Sequence, residues 1–147
     1  MSNALLSARA EAAFDQGVSK SAGFRTRPGQ QAMAQRIAAD LAGVTLGEAS
    51  EPERAICVIQ AGTGVGKSAA YLSTTVALAL ARKTRVIVST ATVDLQEQLM
   101  TKDLPALAEV LDAPFAYALA KGRGRYLCKL KLERLVGVGG ADASADM

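Results

Sequence analysis

The chain has 147 residues and a formal charge of +3, and half of its residues are hydrophobic, which suits one ordinary domain with a buried core. No apolar run reaches the roughly 18–20 residues that span a bilayer, the start lacks the charge and apolar stretch of a secretory signal, and two distant cysteines make no disulfide framework. A cytoplasmic protein with no membrane contact is therefore expected.

In chain order, residues 4–16 are Ala-rich and free of Gly and Pro, and predict a helix. A polar break follows at Gly17–Gly23. Pro28 is a good first helical residue and Gly43 a good stop. Between them Met33, Ile37 and Leu41 make one apolar stripe. Residues 45–52 predict a loop. Residues 55–59, Ala-Ile-Cys-Val-Ile, form a short run rich in β-branched side chains and predict a buried strand. Residues 67–82 predict a second long helix. Residues 85–90 predict another buried strand. Thr92 can cap a helix over about 93–101, Pro105 can start a short one, and residues 115–120 are a weaker strand candidate. Residues 125–136 predict a basic helix, and the tail from Gly137 a flexible end. Strands alternating with helices imply an α/β fold, a parallel sheet with helices on both faces. Three strands are fewer than an ordinary sheet of about five or six, so the sheet is expected to be incomplete in this chain.

Between the first strand and the second long helix lies Ala61-Gly62-Thr63-Gly64-Val65-Gly66-Lys67-Ser68. Its end, Gly-Lys-Ser after a glycine-rich turn, is the pattern of a phosphate-binding P-loop, with Ala61 where Gly is common. The glycines let backbone amides approach phosphate oxygens. Lys67 can reach the β- and γ-phosphates, the Ser68 hydroxyl can bind Mg²⁺, and the helix start favours negative charge. The loop alone specifies a nucleotide-phosphate binder, not a reaction.

Charge is unevenly placed. Residues 113–147 hold six basic and three acidic side chains, while the remainder of the chain is balanced. Lys121, Arg123, Arg125, Lys129 and Lys131 cluster there, either as a polyanion-binding patch or as a solvated face.

Three further stretches carry a resemblance. Residues 24–33 contain Arg27-Pro-Gly-Gln30, which resembles the Arg-x-x-Gln element preceding the P-loop in DinG-like helicases of the XPD/DinG type in superfamily 2. A carboxamide donates and accepts at once, so Gln30 can read an adenine edge. Residues 88–98 resemble the family's Ser-Thr-x-x-x-x-Leu-x-x-Gln motif, with Ser89, Thr90, Thr92 and Gln98 as contacts to the DNA backbone. Thr92 also suits a plain helix cap. Lys121-Gly-Arg-Gly-Arg-Tyr-Leu-Cys128 resembles the Gly-Arg-x-x-Tyr-x-Cys element, in which the cysteine is the first of four iron–sulfur ligands. The resemblance covers about residues 24–135.

It implies a RecA-like P-loop NTPase fold and an ATP-dependent DNA helicase moving 5′ to 3′. ATP and Mg²⁺ would be cofactors, and an iron–sulfur cluster could exist only in a longer protein, because Cys128 has no following cysteine partners. The implied site comprises Arg27, Gln30 and Ala61–Ser68 for nucleotide, with Lys67 and Ser68 catalytic. Ser89, Thr90, Thr92, Gln98, Arg123, Arg125, Lys129 and Lys131 would serve nucleic acid. Single-stranded DNA is the expected partner, with an RNA–DNA hybrid or a CRISPR effector complex as further candidates. The chain reads as 1–23 helix and linker, 24–120 first part of a motor domain, 121–136 basic loop and helix, and 137–147 flexible end. No strand ends in an acidic pair to hold Mg²⁺, and there is no histidine, so an N-terminal fragment of a larger enzyme is expected. A CRISPR-associated relative without the cluster and a non-catalytic nucleotide- or DNA-binding module remain alternatives.

Overall fold

A computed structural model describes residues 2–20, 27–44 and 54–141, with side chains described as far as 137. The chain divides into two compact units, residues 1–117 and 118–147.

The first unit is built on three helices that pack pairwise: α1 (Asn3–Lys20), α2 (Pro28–Ala42) and α3 (Lys67–Arg82). Helix α1 runs through Gly17 to Lys20, so the expected break begins no earlier than residue 21; the remainder of that break and the expected loop at 45–52 lie outside the described residues. Alanine sets the geometry. Leu6 and Ala10 of α1, Ala38 and Ala42 of α2 and Leu78 of α3 form one buried cluster. Phe14 and Val18 meet Ala34 and Ala70 in a second. Small side chains at the crossings let the helix axes approach closely, and the few large ones supply most of the apolar area.

Helix α3 stops where Lys83 turns left-handed at φ 53°, and the Thr84 amide returns to the Ala79 carbonyl at 2.9 Å. That is the usual way of satisfying orphan carbonyls, although glycine would adopt the turn at lower cost.

Thr92 starts a helical run that continues to residue 110 without the expected division. It passes through α4 (Val93–Gln98), a π-helical turn (Leu99–Asp103) and α5 (Leu104–Val110). Pro105 has no N–H for the carbonyl four residues earlier. Just before it the ladder widens, and the Leu104 amide bonds the Leu99 carbonyl five residues back. The run packs Leu99 and Leu107 on Leu72 and Val76 of α3, with Leu95, Leu104, Val110 and Phe115 at the margin. Two surface ties hold the far end: Lys20 Nζ donates to the Val110 carbonyl (3.1 Å) and to Asp112 (3.0 Å), and Gln16 also donates to Asp112.

The expected α/β sheet is not formed: among the described residues there is no strand. Residues 55–59 and 85–90 carry no regular secondary structure and pair in no ladder among the described residues, and Ile56, Val58 and Ile87 are 92%, 90% and 93% exposed. Residues 115–120 are likewise not a strand. A strand exists only through hydrogen bonds to a neighbour. Apolar β-branched runs advertise an affinity for such a neighbour, but the elements that bury surface here are helices. The RecA-like parallel sheet is thus corrected to an all-helical arrangement over the described residues.

The second unit contains a 3₁₀ turn at Arg123–Arg125 and α6 (Lys129–Ala141). Helix α6 starts later than the expected residue 125, because the 3₁₀ turn and extended Tyr126 precede it. It continues past Gly137, where a flexible end was expected; residues 142–147 of that end lie outside the described residues.

Candidate functional site

The glycine-rich loop joins the irregular segment 54–60 to α3. Gly64 and Gly66 have φ of 79° and 89°, values that favour glycine. Gly66 is also the residue that caps α3. Lys67, the first helical residue, folds its side chain back so that Nζ donates to the carbonyls of Ala61 (3.0 Å) and Gly62 (2.8 Å). The ammonium therefore sits across the mouth of its own loop. The amides at the start of a helix have no intrahelical acceptors, and here they belong to residues 67–69. Ser68 lies beside Lys67 and is half-buried.

Helix α2 braces the loop. Arg27 is its extended N-cap residue, and the Arg27 carbonyl accepts from the amides of Gln30 and Gln31. A Cβ placed on Gly29 would lie 3.8 Å from Val65, and one on Gly64 would lie 3.9 Å from the Arg27 guanidinium. Gln30 is fully buried, and its Nε2 donates to the Gly66 carbonyl at 3.0 Å. The structure thus brings Arg27, Gln30 and residues 61–68 together at the start of two helices. Gln30 itself is not exposed to solvent.

Behind the loop, the Cys57 thiol lies by Asp40, which is bonded to Arg36 at 2.7 Å. Hydrogen bonding to Asp40 and then burial push the thiol above its ordinary range. Its hydrogen bond, followed by that of Arg36, holds the Asp40 carboxyl below its own range. The Arg36–Asp40 pair is visible as an i,i+4 spacing, but nothing in the sequence signals Cys57 as its neighbour.

The remaining candidates fall into two sets. Ser89, Thr90 and Thr92 lie at the start of α4, where Thr92 Oγ1 accepts from the Leu95 amide (3.3 Å) and Thr90 Oγ1 donates to the Thr92 carbonyl (3.1 Å). Thr92 is therefore a helix cap. Gln98 is exposed and donates to Asp103 at 3.0 Å. In the second unit, Arg123, Arg125, Lys129 and Lys131 are all exposed around the 3₁₀ turn and the first turn of α6. The Lys121 amide donates to the Tyr126 hydroxyl at 2.8 Å, closing that basic turn.

Metal chemistry fits less well. Among the described residues no three His, Cys, Asp or Glu side chains gather where they could hold an ion. Cys128 is exposed, and the chain's two cysteines cannot supply the four thiolates an iron–sulfur cluster ordinarily takes. The residues present do not fit that group. A cavity of about 260 Å³ between α1, α3 and α5 is lined mainly by Phe14, Val18, Leu72 and Leu107, and none of the candidate residues borders it.

No protein-family model and no solved structure matches the chain. Curated proteins do. The ATP-dependent DNA helicase DinG of Photobacterium profundum is 45% identical over 97 residues, covering 66% of this chain and 14% of that protein. The ATP-dependent DNA helicase YoaA of Escherichia coli is 40% identical over 118 residues, 80% of this chain and 16% of that one. The 3′-5′ exonuclease DinG of Bacillus subtilis is 33% identical over 114 residues, 78% of this chain and 11% of its own length. The chain thus spans less than a fifth of the length of each relative.

Proposed function

We propose that this chain, a DinG-like helicase segment, is the ATP-binding start of a motor that couples nucleotide hydrolysis to movement on single-stranded DNA. The observation that carries this reading is Lys67, bridging the carbonyls of Ala61 and Gly62 above the left-handed glycines of a helix-start loop. A cation held, among the described residues, by two neutral carbonyls is ready to exchange them for phosphate oxygens. In this reading residues 61–68 are a P-loop. Their amides and the start of α3 take the β- and γ-phosphates, Lys67 neutralises charge there, and the Ser68 hydroxyl is the ligand for Mg²⁺. Arg27, at the brim beside Gly64, adds a second positive charge. Bound ATP would supply the phosphoryl group whose transfer to water drives the motor.

The basic turn and α6 supply phosphate contacts for DNA, since clustered Arg and Lys bind a backbone without reading its sequence. The 5′-to-3′ direction is proposed on family resemblance alone.

The direct test is nucleotide titration of the wild-type chain and of Lys67→Ala. Wild type should bind ATP with Mg²⁺, and the variant should lose at least about tenfold in affinity, the equivalent of one charge-assisted hydrogen bond pair. Equal affinity in the two proteins would refute the P-loop reading.

A further inference from the structure

We propose that the cavity between α1, α3 and α5 is a second ligand site, made for a neutral aromatic molecule of about two fused rings. The inference stands on the geometry of that cavity and is independent of the nucleotide reading.

The cavity measures about 260 Å³. Each wall gives it a residue with little or no side chain: Gly17 of α1, Ala69 of α3 and Ala106 of α5. Around them Phe14, Leu72 and Leu107 present apolar surface. Gly17 shows that the space is not a by-product of tight packing. Glycine inside a helix is disfavoured relative to alanine, and a Cβ at 17 would meet nothing nearer than Val110 Cγ2 at 3.9 Å. Packing alone would accept alanine there, whereas glycine keeps the space open.

The walls are fixed by contacts elsewhere. Leu107 of α5 packs with Leu72 and Val76 of α3, and Phe14 and Val18 of α1 share a cluster with Ala70 of α3. Lys20 ties α1 to the Val110 carbonyl at 3.1 Å and to Asp112 at 3.0 Å, and Gln16 adds a bond to Asp112. Closing the space would break these contacts. The cavity is therefore formed before a ligand arrives, which lowers the ordering cost of binding.

The lining selects the chemistry. Ser73 Oγ donates to the Ala69 carbonyl at 2.6 Å, and Asp103 accepts from Gln98 at 3.0 Å, so both are engaged within the chain. Exposed Lys102 and half-buried Asp103 set opposite charges side by side on the lining and favour neither an anion nor a cation. An ionic ligand would lose hydration without a dedicated partner, while an apolar one replaces water against apolar walls. An apolar cavity of about 150 Å³ takes a benzene ring, so 260 Å³ suits two fused rings. A rigid ring system also loses no rotamer freedom on entering. Enclosure by three helices favours a free molecule over a side chain still attached to a partner's backbone.

The test uses this chain with indole as the probe. The chain has no tryptophan, so indole fluorescence reports the probe alone. Wild type should bind indole saturably, and indole at about ten times its Kd should raise the Tm by about 3–6 °C. Gly17→Leu and Ala106→Phe fill the cavity from two different walls. Each should keep the wild-type helix content by circular dichroism and lose at least about tenfold in indole affinity; if one does not fold, the other carries the test. Indole-3-acetate and tryptamine, which add a charge of either sign, should bind at least about threefold more weakly than indole. Absence of saturable binding to wild type, or wild-type affinity in the filled variants, would overturn the proposal. Tighter binding of either charged analogue would overturn the neutral-ligand assignment. Tighter binding of N-acetyltryptophanamide than of indole would give the cavity to a partner's side chain and overturn it equally. None of these outcomes touches Lys67-dependent nucleotide binding, so the two readings fail separately.

Discussion

Replacing Gly66 by alanine should damage the fold through two separable causes. The first is conformational: φ of 89° is a region an L side chain occupies at a cost of about 1–3 kcal/mol. The second is steric: the new Cβ would overlap Gln30 Nε2 at 2.4 Å, forcing the carboxamide off the Gly66 carbonyl. A buried amide left without its acceptor costs about 1–3 kcal/mol more. The two together place the loss near 2–6 kcal/mol, or about 4–24 °C in Tm at ~2–4 °C per kcal/mol. A double-mutant cycle separates them. In a Gln30→Ala background the clash is gone and only the φ strain remains, so Gly66→Ala should cost at least about 1 kcal/mol less there, within the range expected of contacting residues. Urea denaturation of the four proteins supplies the numbers. Strict additivity would mean that Gln30 and Gly66 do not act as a unit, and would refute the reasoning.

Acid stability should depend on Asp40 and Asp112. Cys57 and Arg36 hold the first below its ordinary range, and Lys20 and Gln16 the second. For carboxyls depressed in the fold, stability is fully present above the unfolded pKa of about 3.9 and is lost as pH falls through the folded values. Asp112→Asn should flatten that acid limb in a Tm-against-pH series, and an unchanged slope would contradict the tie to α1. Removing the Thr92 cap with Thr92→Ala should cost about 1 kcal/mol by denaturation; no change would mean that the Leu95 bond contributes nothing. In the second unit, if Arg123, Arg125, Lys129 and Lys131 each meet a phosphate, single-stranded DNA affinity should fall with salt at roughly −0.7 per contact, near −3 in all. Replacing all four by Gln should abolish most of that slope equally for different base sequences, and an unaltered slope would place the turn away from DNA.

The loop and its helix were legible because their signals are local. Gly66-Lys67 at a strand-like apolar run's end, followed by sixteen residues without Gly or Pro, fixes α3. Pro28 and Gly43 bracket α2 as expected, with Pro28 in its first turn and Gly43 as C-cap in a right-handed conformation that does not depend on glycine. Thr92 capped as its side chain allows. What failed was non-local. Residues 55–59 and 85–90 have the composition of strands, yet a ladder needs a partner that composition cannot supply. The π-helical turn ahead of Pro105 was invisible for a related reason: a proline can end a helix or merely widen it, and packing of Leu99 and Leu107 on α3 decides which. Gln30 was found by pattern, but its burial against Gly66 is not written in an Arg-x-x-Gln spacing.

The two apolar runs carry a consequence for handling the chain. Ile56, Val58 and Ile87 face water within residues 55–59 and 86–90, uncharged stretches of high β-propensity, and such segments recruit like segments from other molecules. Each has a charged sentinel on its upstream side: exposed Arg54 before the first, exposed Lys83 and Arg85 before the second. Like charges brought together when identical runs align oppose stacking, the gatekeeper effect that separates sticky segments from self-association. That repulsion weakens as ionic strength shortens the screening length to about 8 Å at physiological salt.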